Sequence, residues 1–560
     1  MLFRLIHFMV RLSLLPLWIP LRILRRRFPV GGWLHVTIDG AVTDFDAPPR
    51  FFRFSPTPTS IHGLEKLHEL VAKDGRVRGV LFTIRAMRCG MATATALRDV
   101  LVKLKAAGKE TAIFLPHGGH TKELYVASAA HRIFVGPQTT IAPVGFASRT
   151  RYFKRTLEKA GVEAEIHAQG AYKSFGETLV RDTMSDPQRE QVGRLLDCFY
   201  DEVVRALAEG RGVDEARARA WIDGAPYRGA AAVTEGLVDG ACYEDELPAR
   251  IGGEGPAPWF IDAATYVARQ TSALLPRVRR QNVIAILPVH GTISGGGPER
   301  IAMDERVIQA ARMARADRRV RAVVLHVNSP GGSALASDRM HHELVQLGKE
   351  KPLVACFADV AASGGYYIAA AASYVVAQRT TVTGSIGVVS ARFTAERLFE
   401  RLGIHTESMT RGARAGLLDP FKPLTDDERK AIDVEMGGIY DAFVGVVADG
   451  RKRPRADIER VAGGRVWSGV DAKTEGLVDE LGGISAAVAI ARQRGGVPAD
   501  APIALLRGRP WGHIPPLPQP KAAQLFERAA ALFDIDLDLL GLVDGSERVV
   551  LLSEIARRFL

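Results

Sequence analysis

Apolar residues along this chain fall into two alternating textures. Short, mostly apolar runs, Val80–Ile84, Thr111–Leu115, Val323–Val327 and Leu353–Phe357, are separated by longer stretches in which apolar residues return every three or four positions. The runs predict strands covered on both faces, and the longer stretches predict amphipathic helices. A β-rich start, Leu34–Val42 or Val283–Ile293, precedes each set. Strands alternating with helices in this way predict an α/β fold with parallel strands.

The pattern occurs twice. Residues 76–81 read RVRGVL and residues 319–324 read RVRAVV, while TEGLVD stands at both Thr234–Asp239 and Thr474–Asp479. Tyr125-Val126-Ala127 matches Tyr367-Ile368-Ala369, Gly145 matches Gly387, and Gly170 matches Gly412, all at a spacing of 242 residues. Such a shared spacing marks an internal duplication. The expected organisation is an N-terminal segment (1–30), a first repeat domain (31–262), a second (263–500), and a Pro-rich linker with an amphipathic tail (501–560). Pro510, Pro515, Pro516, Pro518 and Pro520 mark the linker, and the tail runs from about Ala522 to Leu560.

Composition narrows the partners. The 560 residues are 47% hydrophobic and 24% charged, ordinary for a folded protein of several domains. The net charge of +11 comes with no basic-aromatic motif, so no nucleic-acid partner is expected. Cys89, Cys198, Cys242 and Cys356 form no CxxC pair, which predicts four buried reduced thiols rather than a zinc site or disulfide framework. Residues 1–30 are rich in Leu, Ile, Phe and Trp, but the uncharged run Leu12–Leu21 is about half of the ~20 residues that span a bilayer, and Pro16 and Pro20 interrupt it. Arg4, Arg11 and Arg22 return to one helical face, and Arg25, Arg26 and Arg27 follow. That stripe predicts a helix lying in the membrane interface, in contact with lipid.

The chemistry is divided between the two copies. The second holds two glycine-rich loops after predicted strands, Asn328-Ser329-Pro330-Gly331-Gly332-Ser333 and Ala361-Ala362-Ser363-Gly364-Gly365-Tyr366-Tyr367. Glycines there let backbone N–H groups approach a ligand closely, as the paired donors of an oxyanion hole require. Ser363, opening a helix between alanine and two glycines, is a candidate nucleophile. No histidine lies in either loop; His326 reads as a packed strand residue, and His290 and His405 have no acid at a recognisable spacing. A Ser-His-Asp triad stays open, since its members can be distant in sequence. The alternative base is Lys173, in Gln169-Gly170-Ala171-Tyr172-Lys173-Ser174 of the first copy; its other reading is a surface lysine paired with Glu177 one turn on. At the 242-residue spacing Lys173 maps to Ala415 and Ser363 maps to Thr121, so each copy lacks what the other has.

NSPGGS, AASGGYY and TGSIGV (Thr383–Val388), with GAYKS in the first half, resemble the signature of the signal peptide peptidase A family in its long, duplicated form, over about residues 31–500. The resemblance implies two tandem domains of the Clp-protease/crotonase type, each a spiral of ββα units, assembled as a homotetramer. It implies a membrane-associated serine endopeptidase that degrades short apolar peptides such as released signal peptides and needs no cofactor or metal. By the same resemblance Ser363 is the nucleophile, Lys173 its general base, Ser385 the hydroxyl that orients the lysine, and Gly332 and Gly364 the oxyanion-hole donors. The family's N-terminal transmembrane helix has no clear counterpart here. Two further readings remain: a crotonase-like enzyme acting on an acyl-thioester, and a non-catalytic membrane scaffold.

Overall fold

A computed structural model of the chain describes residues 30–45, 59–253, 255, 257–271, 281–295, 302–417, 419, 421–506 and 550–552. The arginine stripe of residues 1–29, the Pro-rich linker and most of the tail lie outside these residues. The chain divides into two compact units, Met1–Ala147 with Asp197–Gln281, and Ser148–Leu196 with Asn282–Leu560.

Each unit is built on a parallel sheet, and the strand order is the same in both. In the first unit it runs Gly240–Ala241, Arg132–Val135, Glu110–Leu115, Val77–Arg88, Gly32–Thr43, Phe260–Asp262. In the second it runs Glu480–Leu481, Tyr374–Ala377, Leu353–Ala362, Val320–Ser329, Val283–His290, Ile503–Leu505. Each of these six strands of the second stands where its repeat partner stands in the first; Val382–Gly384 and Val466–Ser468 also join the second sheet, whereas Thr140–Ala142 and Tyr227–Arg228 belong to a separate sheet of the first copy. The duplication read from spacing is therefore a duplication of topology, and the α/β class with parallel strands is what is found.

In the second unit the apolar runs became central strands for the reason their pattern suggests. Leu353–Ala362 is buried at all ten positions, and Val320–Ser329 is exposed only at Arg321. Strands covered on both faces are apolar over most of their length. The helices Asp304–Ala316 and Ala334–Glu350 turn Val307, Ile308, Ala311, Leu344 and Leu347 into that core. Ser333 starts the second of them by accepting the Ala336 N–H at 3.1 Å. Helix Asp426–Arg451 begins with a Thr425/Glu428 capping box and buries Met436, Phe443, Val444 and Val447.

A second sheet of this unit has the order Ala302–Met303, Ile293–Ser294, Gly331–Ser333, Val550–Leu552, Val388–Thr394, Glu163–Gln169. Its last strand pairs antiparallel with Val388–Thr394 over seven residues, from Gln169 opposite Val388 to Glu163 opposite Thr394. Residues 148–196, which the linear repeat counts with the first copy, are thus built into the second unit. Of the four free cysteines, Cys242 and Cys356 are buried, but Cys89 and Cys198 are only partly so, which corrects the expectation of four buried thiols. Among the described residues, no helix is long and apolar enough to cross a membrane.

Tyr366 offers a check on the second core. Its ring is buried against Phe357 and its hydroxyl donates to the Leu477 carbonyl at 2.8 Å. Tyr366→Phe removes that buried bond at a cost of about 1–2 kcal/mol. A urea titration should show a lower midpoint at unchanged slope; an unchanged midpoint would contradict the packing described.

Candidate active site

The Leu353–Ala362 strand delivers the chain to Ser363, and the helix Gly364–Ala369 begins at the next residue. A reversal this sharp puts Ser363 at φ 54°, ψ −117°, a conformation unfavourable for a residue with a side chain. Two bonds hold it there: the Ser363 N–H donates to Gly384 O at 2.8 Å, and Ser363 O accepts the Tyr367 N–H at 2.9 Å. The following glycines are required by space. A Cβ on Gly364 would stand 2.6 Å from Ser337 Oγ, and one on Gly365 2.8 Å from the Ser329 carbonyl. Strand, strained turn and helix together place the Ser363 hydroxyl at the end of a sheet.

The other glycine loop meets this one. Gly331 and Gly332 have φ of 106° and 154°, and a Cβ on Gly332 would come within 1.9 Å of Ile293 O. The vacant Cβ position of Gly364 is 3.3 Å from Gly332 N, so the two loops are in contact. Gly364 is the first residue of its helix, where the backbone N–H has no role in the intrahelical ladder. The neighbouring edge Gly331–Ser333 is taken by the antiparallel strand Val550–Leu552, which also pairs with Val389.

Lys173 enters from the segment that follows the Glu163–Gln169 strand. Its Nζ lies 2.7 Å from Ser363 Oγ, 3.1 Å from Ser385 Oγ and 3.1 Å from Ser385 O. All three residues are buried: Lys173 is 5% exposed, Ser363 0% and Ser385 2%. Burial alone takes the Lys173 pKa well below its usual 10.5, because a charged ammonium would lose its hydration here. The surface-lysine reading is thereby replaced. Glu177, its candidate partner, instead accepts bonds from the Ser185 hydroxyl at 2.5 Å and the Ser185 N–H at 3.2 Å. A neutral amine beside a serine hydroxyl, with glycine N–H groups adjacent, is equipped to take a proton from that hydroxyl as it attacks a carbonyl.

The other candidates are elsewhere. His326 is a buried strand residue, its Nδ1 2.8 Å from His290 Nε2, and burial takes its pKa down to about 3. His405 is exposed, as is Ala415 at the counterpart of Lys173. In the first unit, Thr121 at the counterpart of Ser363 is engaged by its own loop: its hydroxyl donates to Gly145 O at 3.1 Å and accepts the Gly145 N–H at 3.0 Å. Sequence reasoning missed two features, the Gly384 carbonyl that fixes Ser363 and the positive φ of 52° at Ser385. The only signal for either was the glycine spacing of Gly384-Ser385-Ile386-Gly387.

The chain is similar to known proteins. Residues 104–252 and 346–497 match the model of peptidase family S49, once in each copy of the repeat. The chain is 31% identical over 533 residues to the serine protease SPPA, chloroplastic, of Arabidopsis thaliana, covering 93% of this chain and 76% of that protein. It is 32% identical over 388 residues to Protease 4 of Salmonella typhi, and 32% identical over 387 residues to Protease 4 of Haemophilus influenzae. Those two alignments cover 66% of this chain and 62% of each relative, under two thirds of the relatives' length.

The buried amine has a measurable cost. Between the lowered pKa of the folded state and 10.5, the unfolded chain holds a proton on Lys173 that the folded chain does not. Stability therefore falls as pH drops from about 10.5 through that window, and the loss levels off below the folded pKa. Lys173→Met keeps the length and removes the titration. At neutral pH its unfolding midpoint should be higher than that of the unaltered protein. The gain should shrink toward pH 10.5; a gain independent of pH would contradict a buried neutral lysine.

Proposed function

The chain belongs to peptidase family S49 and is a serine peptidase, and on that premise we propose that Ser363 is its nucleophile and Lys173 its general base. The observation that carries this reading is the 2.7 Å contact between a buried amine and a serine hydroxyl 190 residues away. In the first step Lys173 Nζ takes the Ser363 proton as Oγ bonds to the peptide carbonyl carbon. The carbonyl oxygen becomes an oxyanion facing the Gly332 and Gly364 N–H groups. Lys173 then passes the proton to the departing amine as the C–N bond breaks. A water then gives a proton to the same lysine as its oxygen bonds to the ester carbon, and the lysine returns that proton to Ser363 Oγ as the C–O bond breaks, freeing the serine and the acid. Ser385 Oγ, 3.1 Å from Nζ, orients the amine.

The substrate in this reading is an extended apolar peptide. Gly331–Ser333 already accepts an antiparallel strand beside Ser363, which supports backbone pairing as the mode of binding. Digests analysed by mass spectrometry should show cuts after small or apolar residues in short peptides. Cleavage confined to folded, charged proteins would argue against it.

The dyad is tested by variants. Ser363→Ala and Lys173→Ala should each lower kcat/KM by about 10³-fold or more, with the double variant no worse, because the two groups act as a unit. A fluorophosphonate should label Ser363. Activity of the intact protein should rise with pH through the lowered Lys173 pKa, since only the neutral amine accepts a proton. Mixed assemblies of the two inactive variants should recover nothing, as both groups belong to one chain. Full activity in either variant would sink the assignment.

Membrane association is a separate proposal, resting on the sequence of residues 1–30. Arg4, Arg11, Arg22 and Arg25–Arg27 beside Leu, Phe and Trp suit an interfacial helix. High salt should weaken, but not abolish, binding to anionic vesicles, and deleting residues 1–28 should remove it while activity remains. Vesicle binding that survives the deletion would exclude this segment as the anchor.

A further inference from the structure

The dyad depends on how two distant segments are held together, and one turn touches both. The turn Gly463-Gly464-Arg465-Val466 holds the lysine segment on one side: Gly463 O accepts the Tyr172 N–H at 2.9 Å. Closeness here is forced by glycine. A Cβ on Gly170 would stand 2.3 Å from the Gly463 carbonyl carbon, and one on Gly464 2.6 Å from Lys173 Cβ. On its other side the turn holds the serine: Ser385 N–H donates to Arg465 O at 2.7 Å, and Gly464 N–H to Ile386 O at 2.8 Å. Whatever fixes this turn against Tyr172–Ser174 fixes Nζ relative to Ser363 and Ser385.

Two side chains do so. Gln191, 1% exposed, spans the junction. Its Nε2 donates to Tyr172 O at 3.0 Å and Ser174 Oγ at 3.3 Å, and its Oε1 accepts the Val466 N–H at 3.1 Å. The Arg465 guanidinium lies between the rings of Tyr172 and Trp467, 4.9 and 4.5 Å from their centroids. It pairs with Glu190 at 2.9 Å, and the other Glu190 oxygen accepts the Tyr172 hydroxyl at 2.8 Å.

The repeat provides an internal control. Thr140 pairs with Arg228 and Ile141 with Tyr227 in the first copy, as Val382 pairs with Ser468 and Thr383 with Trp467 in the second. In that register Arg465 and Val466 correspond to Ala225 and Pro226, so the first copy has neither a guanidinium nor an N–H to offer there. The 26-residue helices Asp186–Arg211 and Asp426–Arg451 correspond likewise, with Arg211–Asp239 repeated as Arg451–Asp479. Glu190 and Gln191 then correspond to Lys430 and Ala431. Each half of the clamp occurs once, on the same side of the duplication as the dyad member it serves.

We propose that Gln191 and Arg465 are positioning residues that clamp the lysine segment to the 463–466 turn and so set the distance of Lys173 Nζ from Ser363 and Ser385. The proposal rests on Lys173 being the base. The charged groups on the elements around Lys173 are engaged elsewhere: Glu163 with Arg397, Glu165 with Arg392 and Arg429, Glu177 with Ser185, His167 with Asp433, Arg194 with Asp471, and Glu190 with Arg465. Burial is what lowers its pKa, so a loosened clamp that admits water should raise it.

The test compares Gln191→Met, Arg465→Ala and Arg465→Lys in the full chain, on a peptide that the unaltered protein cleaves. A misplacement near 1 Å costs about 10²-fold in rate. The first two variants should therefore lose about 10- to 100-fold in kcat with KM little changed, and the acid limb of the kcat/KM profile should move to higher pH. Arg465→Lys, which keeps the Glu190 pair but not the planar contact with the rings, should recover part of kcat. Unchanged kcat and an unmoved acid limb, in variants whose melting curves match the unaltered protein, overturn the clamp while leaving Lys173→Ala inactive. An active Lys173→Ala overturns the base itself. If the buried Gln191 variant fails to fold, Glu190→Gln replaces it; Glu190 is half exposed, and the same shift of the acid limb is required.

Discussion

An amine kept uncharged next to a serine hydroxyl is the interaction on which the rest of this structure depends. A lysine is charged in water at neutral pH, and it accepts a proton only where water is excluded. Lys173 meets that condition by burial alone, with serine groups rather than a carboxylate around its Nζ. A nearby acid would stabilise the ammonium and defeat the purpose. The acids at hand, Glu177 and Glu190, are turned toward Ser185 and toward Tyr172 and Arg465. The arrangement costs stability, and that cost has to be offset by the core beneath it.

That core also supports backbone strain. Ser363 and Ser385 both have positive φ, near 54° and 52°, and both contact the same amine. Their backbones are tied to the interior: Ser363 N–H to Gly384 O, and Ser385 N–H to Arg465 O. Directly below, the strand Leu353–Ala362 is buried along its full length, and the rings of Phe357, Tyr366 and Tyr367 fill the adjoining space. Strained turns of this kind persist only where the surrounding packing leaves them no alternative.

The two copies share one fold but carry different groups at corresponding places. Both copies retain the same order of parallel strands. They differ where strands end. At the end of its strand the second copy places Ser363 beside glycine loops, whereas the first has Thr121 closed onto Gly145. The first copy instead contributes residues 148–196, which add an edge strand and a lysine to the second unit.

The sequence by itself determined the strands, the duplication and the residue types of the site. A strand covered on both faces is apolar over most of its length, so Val323–Val327 and Leu353–Phe357 announce themselves. Glycines placed where backbones touch leave a visible spacing, and NSPGGS, AASGGYY and TGSIGV carried the resemblance to a peptidase family. What periodicity does not encode is which copy a segment packs against. Only the tertiary structure decided that Gly170–Ser174 belongs with the 463–466 turn, because the bonds that hold it join residues nearly three hundred positions apart. Only the tertiary structure decided that Lys173 is buried rather than paired with Glu177, since the identity of a lysine says nothing about the water around it. Gln191 and Arg465 look like ordinary polar residues of a helix and a loop until the fold places the lysine segment between them.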